Sequence, residues 1–279
     1  MLRFSGAGFS DVGHVRDHNE DAGFVGTTLG LVADGVGGAA AGEVASATVA
    51  SAVVETVLGP AGDPGHARTP EQVLVAGADR ARAGIRRAIQ RDLTRLGMAT
   101  TLTVLLCDGE RAVLGHVGDS RAYRLRSGVL EQLSTDHTYV AHLVESGQLA
   151  REAVPRHPWR NVVLRSVDGD PADQGLDLLP VRLRAGDRYL LCSDGLTDMV
   201  VDEVIGEVLG RGDPDAAGTA LVDHALAAGG RDNVTCVVLD VVDVDPAAAG
   251  PTGPADGVRL GALLDPANVV EPSSPVRSG

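Results

Sequence analysis

The chain has 279 residues, of which 44% are hydrophobic and 22% charged, a composition typical of a globular protein with ample material for a core. Its formal net charge of −14 argues against nucleic-acid binding, which depends on basic patches. All 24 basic residues are arginines. Chemistry that needs a lysine, such as a Walker A motif, kinase phosphotransfer or a Schiff base, is therefore excluded.

The sequence gives no sign of a membrane segment or a secretion signal. No apolar run approaches the ~20 residues needed to span a bilayer. The N-terminus lacks the basic stretch and apolar core of a signal peptide. The three cysteines have no CxxC spacing, which favours reduced, buried thiols. We therefore expect a cytoplasmic protein without a membrane partner.

Hydrophobic periodicity predicts a succession of short strands and helices. Strands are expected at 4–15 and 22–33, a helix over Gly42–Leu58, an amphipathic helix with an apolar stripe from Leu74 to Leu96, a meander of strands at 99–107, 110–118, 120–126 and 129–133, a helix at 138–146, strands at 175–184 and 187–193, helices at 202–209 and 214–228, and a strand at 233–241. Strands and helices in separate runs, joined by tight turns, favour an α+β fold over βαβ winding.

The composition changes after residue 242. Residues 243–279 are rich in alanine, proline, glycine and aspartate and have no sustained period. We interpret them as a flexible tail that follows a domain over residues 1–242, with Val258 to Leu264 as a short element that could dock.

Aspartates follow three apolar, strand-like runs, at Asp34-Gly35, Asp119-Ser120 and Asp194-Gly195, and Asp232 precedes a fourth such run. A lone Asp-Gly pair is more often a hairpin turn. Several carboxylates delivered by strand ends, however, form an oxygen-lined site for hard cations. They would repel one another unless a divalent ion lay among them. The pattern predicts a Mg²⁺ or Mn²⁺ centre.

Seven motifs, in order between about residue 5 and residue 241, resemble those of the metal-dependent protein phosphatases, the family called protein phosphatase type 2C. Residues 143–161 also resemble the flap of its bacterial serine/threonine branch. The motifs are Arg16-x-x-Asn19-Glu20-Asp21, Ala33-Asp34-Gly35-Val36-Gly37-Gly38, Gly42-Glu43, Met98-Ala99-Thr100-Thr101, Val117-Gly118-Asp119-Ser120-Arg121, Ser193-Asp194-Gly195 and Asp232-Asn233-Val234-Thr235.

The resemblance implies a four-layer α-β-β-α sandwich, in which helices flank two antiparallel sheets and a metal pair lies in the cleft at one end. Position by position, it implies that Asp34 bridges two Mn²⁺ or Mg²⁺ ions. The Gly35 carbonyl would bind one ion, and Asp194 and Asp232 would bind the other.

Further roles follow from the same resemblance. Glu20 and Asp21 would hold metal-bound waters, and Asp119 would bind a third, weaker metal together with Asp194. Arg16 would bind the substrate phosphate, since its planar fork meets two phosphate oxygens at once. Asn233 would support the centre by orienting a ligand or a water.

The implied activity is hydrolysis of phosphoserine and phosphothreonine on proteins. A hydroxide that bridges the two ions would attack phosphorus in line, without a covalent intermediate. The implied partners are phosphorylated proteins and, in the bacterial branch, a serine/threonine kinase whose action is reversed. We expect a monomer.

One position departs from the family pattern. Many members have a histidine after the first Asp-Gly, and it is proposed to protonate the leaving group; here that position is Val36. Bacterial relatives often carry an apolar residue there too, which leaves metal-bound water as the proton donor. His137 and His157 are candidates in sequence only, and the role stays unassigned.

Two other classes of function fit parts of the sequence. A phosphoprotein-binding module on the same fold is disfavoured because every expected carboxylate and Arg16 are present. A two-metal phosphodiesterase acting on nucleic acid is disfavoured by the negative charge and the scarcity of aromatic residues. Manganese-dependent hydrolysis of a phosphate ester, lost in Asp34→Asn, would separate an enzyme from a binding module.

Overall fold

The computed structural model describes residues 1–36, 41–59, 68–170, 175–245 and 256–271, which form twelve strands and six α-helices. The strands are β1 (Leu2–Asp11), β2 (Asp21–Val25), β3 (Leu29–Val36), β4 (Ala99–Thr100), β5 (Leu102–Cys107), β6 (Ala112–Val117), β7 (Arg121–Arg126), β8 (Val129–Gln132), β9 (Asp177–Val181), β10 (Arg188–Cys192), β11 (Val234–Asp243) and β12 (Val258–Gly261). The helices are α1 (Gly42–Leu58), α2 (Pro70–Arg91), α3 (Tyr139–Glu145), α4 (Asp194–Thr197), α5 (Asp202–Leu209) and α6 (Pro214–Ala227).

The strands form two antiparallel sheets. The first has the order β1-β11-β10-β7-β8, and the second has the order β12-β2-β3-β5-β6-β9, with β4 beside β3. The first sheet pairs strands that are far apart in the sequence: Leu2 on β1 lies opposite Asp243 on β11.

Three apolar layers hold these elements together. Between the sheets, residues such as Val32 and Leu239 are buried, and α1 and α2 cover the outer face of the second sheet. The helices α4, α5 and α6 cover the outer face of the first sheet around Leu190 and Val238. The α+β, four-layer α-β-β-α architecture predicted from the sequence is confirmed.

The predicted meander over residues 99–133 is not one sheet. The hairpin β5–β6 belongs to the second sheet and the hairpin β7–β8 to the first. The chain crosses between the sheets at Gly118-Asp119-Ser120. Sequence spacing alone cannot distinguish these arrangements, because both need the same short strands and turns. The crossing places Asp119 where the two sheets meet.

The predicted strand at 22–33 is also divided. A turn closed by the Gly26 N–H, which donates to the Leu29 oxygen at 2.7 Å, separates β2 from β3. The two strands pair so that Asp21 lies directly opposite Asp34. Because directly opposed residues project to the same face of a sheet, two acidic side chains become neighbours.

Helix α2 begins as expected but ends earlier than its apolar stripe. Thr69 caps its N-terminus in a reciprocal arrangement with Gln72, and the last helical residue is Arg91. Leu93 and Leu96, which continue the stripe in sequence, are 76% and 73% exposed. The prediction that the apolar stripe of this helix continues to Leu96 is therefore wrong.

The expectation of a flexible tail over 243–279 is wrong for residues 256–271. There, β12 pairs with the edge of β2, and Leu260 and Val270 are buried. The Thr48 hydroxyl accepts a hydrogen bond from the Val270 N–H at 3.0 Å. The short element over Val258 to Leu264, expected as one that could dock, does dock here, whereas its pairing with the edge of β2 was not visible in the composition. The rest of the segment, apart from 243–245, lies outside the described residues.

Candidate metal centre

A cavity of about 470 Å³ lies at one end of the sandwich, where the two sheets meet. Its walls come from six separate stretches of the sequence: the loop between β1 and β2, the end of β3, the crossing between β6 and β7, the segment around Asn161 and Val163, the start of α4, and the loop before β11. The residues predicted from the sequence that line it are Arg16, Glu20, Asp34, Gly35, Asp119, Asp194, Asp232 and Asn233.

Asp34 is fixed near the end of β3 by its backbone. Its N–H donates to the Thr101 hydroxyl at 2.9 Å, and its carbonyl accepts from the Thr101 N–H at 2.9 Å. Opposite it on β2, Asp21 is only 1% exposed and lies behind the cavity. The Ser193 hydroxyl donates to Asp21 Oδ2 at 2.7 Å, whereas Asp21 Oδ1 is buried without a hydrogen-bond partner.

Gly35 occupies a position that only glycine can fill. A Cβ there would lie 2.2 Å from the Gly42 oxygen and 2.7 Å from the Glu20 oxygen. The Gly35 N–H also donates to the Glu20 oxygen at 3.1 Å. The close approach brings the start of α1 and the loop before β2 together at the cavity wall.

The buried carboxylates raise one another's proton affinity. Burial, followed by the charges of Asp21 and Asp194, raises the pKa of Asp34 well above its usual value. Burial and the charge of Asp119 do the same to the pKa of Asp194. The pKa values of Asp21 and Asp119 rise to about 6, mainly because of burial. Without a cation, the site would hold protons instead.

The donor set fits a hard divalent cation. The aspartates, Glu20 and the Gly35 carbonyl offer oxygen ligands, which Mg²⁺ and Mn²⁺ prefer, and the buried Asp21 Oδ1 without a partner points to a missing positive group or water. In the described part of the chain, no three His, Cys, Asp or Glu side chains are already arranged to hold an ion by themselves. The cavity leaves room for an ion that keeps several waters, as Mg²⁺ commonly does.

Arg16 reaches the same cavity from the loop between β1 and β2. Its Nη2 donates to Asp232 Oδ2 at 2.7 Å, and its Nη1 lies 3.9 Å from Glu20 Oε2. The side chain is 48% exposed. A guanidinium in this position is held near the carboxylates, yet it remains accessible to an anion entering from solvent.

Asn233 acts through the backbone around it. Its Oδ1 accepts from the Glu20 N–H at 2.7 Å, and its Nδ2 donates to the oxygens of Val12 and His18, each at 2.9 Å. The residue is 4% exposed. This one side chain therefore ties the loop that carries Arg16 to the start of β11.

Some cavity residues were not singled out from the sequence. His18, Asn161 and Val163 line the cavity; Asn161 ends the flap-like segment, and Val163 lies just after it. The Arg160 guanidinium and the Asn161 amide donate to Asp198 Oδ2 at 3.2 and 3.4 Å. The resemblance of the flap was the only sequence signal for these contacts, because they join residues about 37 positions apart in the sequence.

Val36 occupies the position at which many members of the family have a histidine. Val36 lines the cavity and has no proton to donate, and Gly37 and Gly38 lie outside the described residues. Neither of the histidines considered from the sequence is among the described lining residues. His137 lines a second cavity of about 840 Å³, and His157 packs against the rings of Tyr139 and Trp159.

Sequence comparison identifies relatives over most of the chain. The family model for protein phosphatase 2C matches residues 14–222. The serine/threonine protein phosphatase PstP of Mycobacterium tuberculosis is 43% identical over 250 residues, 88% of this chain. The chain spans only 46% of that protein's length. The serine/threonine phosphatase stp of Listeria monocytogenes is 30% identical, and the match covers 83% of this chain and 93% of stp.

Structure comparison agrees with the sequence matches. The crystal structure of the catalytic domain of PstP, solved in complex with two manganese ions, superimposes with a TM-score of 0.78 at 40% identity. That match covers 87% of this chain and all of the PstP domain. The named relatives are protein serine/threonine phosphatases, the enzyme class predicted from the sequence. The chain belongs to the protein phosphatase 2C family.

Proposed function

We propose that this domain hydrolyses phosphoserine and phosphothreonine on proteins with the help of two Mn²⁺ or Mg²⁺ ions. One observation carries the proposal. Four aspartates from distant parts of the sequence line one cavity. Burial raises the pKa values of three of them, Asp34, Asp119 and Asp194, and repulsion by other aspartates of the cavity adds to the rise for Asp34 and Asp194. A cluster that is unfavourable by itself is best explained by the cations it would bind.

Asp34 would contact both ions, because it projects from β3 into the middle of the acidic group. The Gly35 carbonyl would bind one ion, and Asp194 and Asp232 would bind the other. When bound, the ions would lower the pKa of a shared water and supply the nucleophile for in-line attack on phosphorus, so no covalent intermediate is needed. The structure of PstP with two manganese ions supports this number of ions.

Glu20 and Asp21 would act at one remove, through waters on the ions. Asp21 suits that role because it lies behind the cavity, opposite Asp34, with one oxygen that lacks a partner. Asp119 would bind a third, weaker ion together with Asp194. The repulsion between Asp119 and Asp194, which raises the pKa of Asp194, supports that pairing.

Arg16 would bind the phosphate of the substrate. In the described structure its guanidinium already donates to Asp232. With Asp232 bound to a cation, the Arg16 guanidinium would be free to meet two phosphate oxygens with its planar fork. Its side chain is exposed enough to make that exchange.

The proton for the departing serine or threonine oxygen would come from water. Val36 lines the cavity where many relatives have a histidine, and it offers no acidic group. Phosphorylated proteins would be the partners, and a serine/threonine kinase would add the phosphates that this domain removes. We propose that the domain acts as a monomer in the cytoplasm. No helix within the described residues is long and apolar enough to cross a membrane.

The test is phosphate release from a phosphothreonine peptide with and without Mn²⁺. Asp34→Asn removes the charge that both ions would share, so activity should fall about 100-fold or more, as expected when several kcal/mol of metal stabilisation are lost. Asp108→Asn is the matched control. Asp108 also precedes a glycine, but its Oδ1 accepts from the N–H groups of Glu110 and Arg111 in a turn.

Two outcomes would contradict the proposal. Activity that does not depend on a divalent cation would reject the metal centre. Tight binding of the phosphopeptide without any turnover would instead indicate a phosphoprotein-binding module on the same fold.

A further inference from the structure

Asp119 lies in the short connection between β6 and β7, whose residues are not paired with any described strand. Gly118-Asp119-Ser120 connects β6 in one sheet to β7 in the other. One side of this crossing rests on Thr101, whose hydroxyl lies 2.7 Å from the Ser120 hydroxyl. Gly118 has a φ of 109°, and a Cβ there would lie 2.5 Å from Thr101 Cγ2. The crossing therefore fits closely against β5 and its neighbours.

On the other side of the crossing, His137 hydrogen-bonds to both the N–H and the carbonyl of Gly118. The His137 N–H donates to the Gly118 oxygen at 2.8 Å, and the Gly118 N–H donates to His137 Nδ1 at 3.1 Å. Because a backbone N–H can only donate, Nδ1 must carry a lone pair. In the neutral ring, the Gly118 contact therefore favours the tautomer that carries its proton on Nε2.

Two charged residues orient that ring from its far edge. His137 Nε2 lies 3.0 Å from Asp177 Oδ2, which can accept its proton in a hydrogen bond. Arg165 donates to Asp177 Oδ1 at 2.8 Å, and its Nη1, which can only donate, lies 2.7 Å from the same ring nitrogen. Burial, and then the charge of Arg165, lower the pKa of His137, so the ring is kept neutral. Asp177 at Nε2 and the Gly118 N–H at Nδ1 favour the tautomer in which Nδ1 accepts, whereas Arg165 favours the other. We call His137, Gly118, Asp177 and Arg165 the His137 clamp.

The ring of His116 packs against one face of the His137 ring. The two imidazoles are stacked with their centroids 5.0 Å apart. His116 Nε2 lies 3.0 Å from the Thr135 oxygen and its Nδ1 lies 2.9 Å from the Thr103 hydroxyl, so its orientation is fixed as well. The His137 ring therefore has little freedom to turn away from Gly118.

We propose that His137 is a positioning residue that holds Asp119 in place for its cation through the hydrogen bond from the Gly118 N–H to Nδ1. His137 itself lines the second cavity and does not contact the metal cavity, so it acts through Gly118. The inference rests on the proposed function only in taking Asp119 as a cation ligand. It gives His137 a role that differs from the proton donor considered from the sequence.

The experiment measures binding of Mn²⁺ alone to the full chain by isothermal titration calorimetry. In His137→Asn, the side-chain oxygen can take the place of Nδ1 and accept from Gly118. In His137→Gln, the amide reaches the position of Nε2 and the acceptor for Gly118 is lost. We expect the weakest Mn²⁺ step to weaken about 10-fold or more in His137→Gln and to stay near the wild-type value in His137→Asn.

Asp119→Asn makes the test specific. It should remove the weakest step, and adding His137→Gln to it should have no further effect on Mn²⁺ binding, because the two residues act as one unit. Thermal unfolding without Mn²⁺ shows whether each variant folds. If His137→Gln does not fold, Asp177→Asn replaces it, and it should weaken the same step by a smaller factor.

The proposal is overturned if the Asn and Gln variants weaken Mn²⁺ binding equally, if the effect persists in full with Asp119→Asn, or if no step depends on Asp119. Peptide hydrolysis is measured separately. A wild-type chain that binds Mn²⁺ with the expected dependence on His137, yet hydrolyses no phosphopeptide, would reject the proposed function and leave this inference intact.

Discussion

Each end of strand β10 is flanked by a buried aspartate, and the pKa values of the two aspartates are shifted in opposite directions. Directly before the strand, Asp187 receives two hydrogen bonds of 2.6 Å from Arg126 and one from the Arg184 N–H. Burial opposes its charge, but these hydrogen bonds outweigh burial and lower its pKa. Two residues after the strand, Asp194 has no arginine partner among the described residues. Burial and the charge of Asp119 raise its pKa.

The difference separates acids that stabilise the fold from acids that would bind a ligand. Beside the strands the chain pairs carboxylates with arginine: Arg126 pairs with the buried Asp187, and Arg188 with the half-buried Asp240. At the cavity Arg16 pairs with Asp232, but Asp34 and Asp194 are left to repel each other, at a cost in stability. A cation would remove that cost, so folding and metal binding should be linked at one end of β10 and independent at the other.

The largest expected effect is stabilisation by Mn²⁺. Two sites, each exposed to Mn²⁺ at 100 times its dissociation constant, would add about 5 kcal/mol to the free energy of unfolding. Urea denaturation with and without Mn²⁺ measures it. The same difference should shrink by about half or more in Asp34→Asn and should be unchanged in Asp108→Asn. Equal stability with and without Mn²⁺ would contradict the distinction, because the acids at both ends of β10 would then be independent of metal.

The second prediction concerns pH in the absence of metal. The folded-state pKa values of Asp21 and Asp119 are about 6, above their values in the unfolded chain, so the folded protein binds more protons between pH 4 and 6. Its stability should therefore fall as the pH rises through this window, by about 3 kcal/mol or more. Denaturation at a series of pH values tests this. Saturating Mn²⁺ should abolish the fall, and stability that rises with pH in the metal-free protein would contradict it.

A substitution at the paired end of β10 should act on stability whether or not metal is present. Arg126→Ala leaves the buried Asp187 without its main partner and should lower the free energy of unfolding by about 2–3 kcal/mol. Denaturation curves recorded with Mn²⁺ and with a chelator should show the same loss. A loss that appears only with Mn²⁺ would mean that the pair supports the metal centre instead.

The smallest effect is a gain in stability. Asp194→Asn removes one of the repelling charges with little change in shape, so the metal-free protein should become about 1 kcal/mol more stable while the activity is lost. Asp187→Asn is the matched control at the other end of β10, and it should destabilise. If both substitutions destabilise the metal-free protein, repulsion at the cavity is smaller than the hydrogen bonding that Asp194 contributes.

Much of the site was visible in the sequence because its signals are local. Asp34 and Asp194 each follow an apolar run, and this arrangement places a carboxylate at the end of a buried strand. The facing of Asp21 and Asp34 was not visible, because it depends on the turn at Gly26 and the register that this turn imposes. Asn161 was missed as a cavity residue for a similar reason, since it reaches the site from a distant segment.

The fold was predicted in class but not in its crossings. The strands on either side of Asp119 have the same lengths and turns in one sheet as in two, so only packing decides between these arrangements. The docking of the element at Val258 to Leu264 was anticipated, but its partner, the edge of β2, was not, because four residues beside a sheet edge need no long pattern. Leu93 was misplaced because the apolar spacing continues past the helix. The backbone becomes extended at Asp92, whose carboxylate accepts from the Thr94 N–H and begins a separate short turn.

Asn233 also has a consequence for how the protein is made. Its side chain joins residues near the start of the chain to the beginning of β11, and within the described residues β1 pairs with β11 alone. On the ribosome, the first aspartates emerge long before residue 232. The nascent chain therefore cannot assemble its centre until almost the whole domain has been synthesised, and folding of this end must wait for contacts more than 200 residues apart.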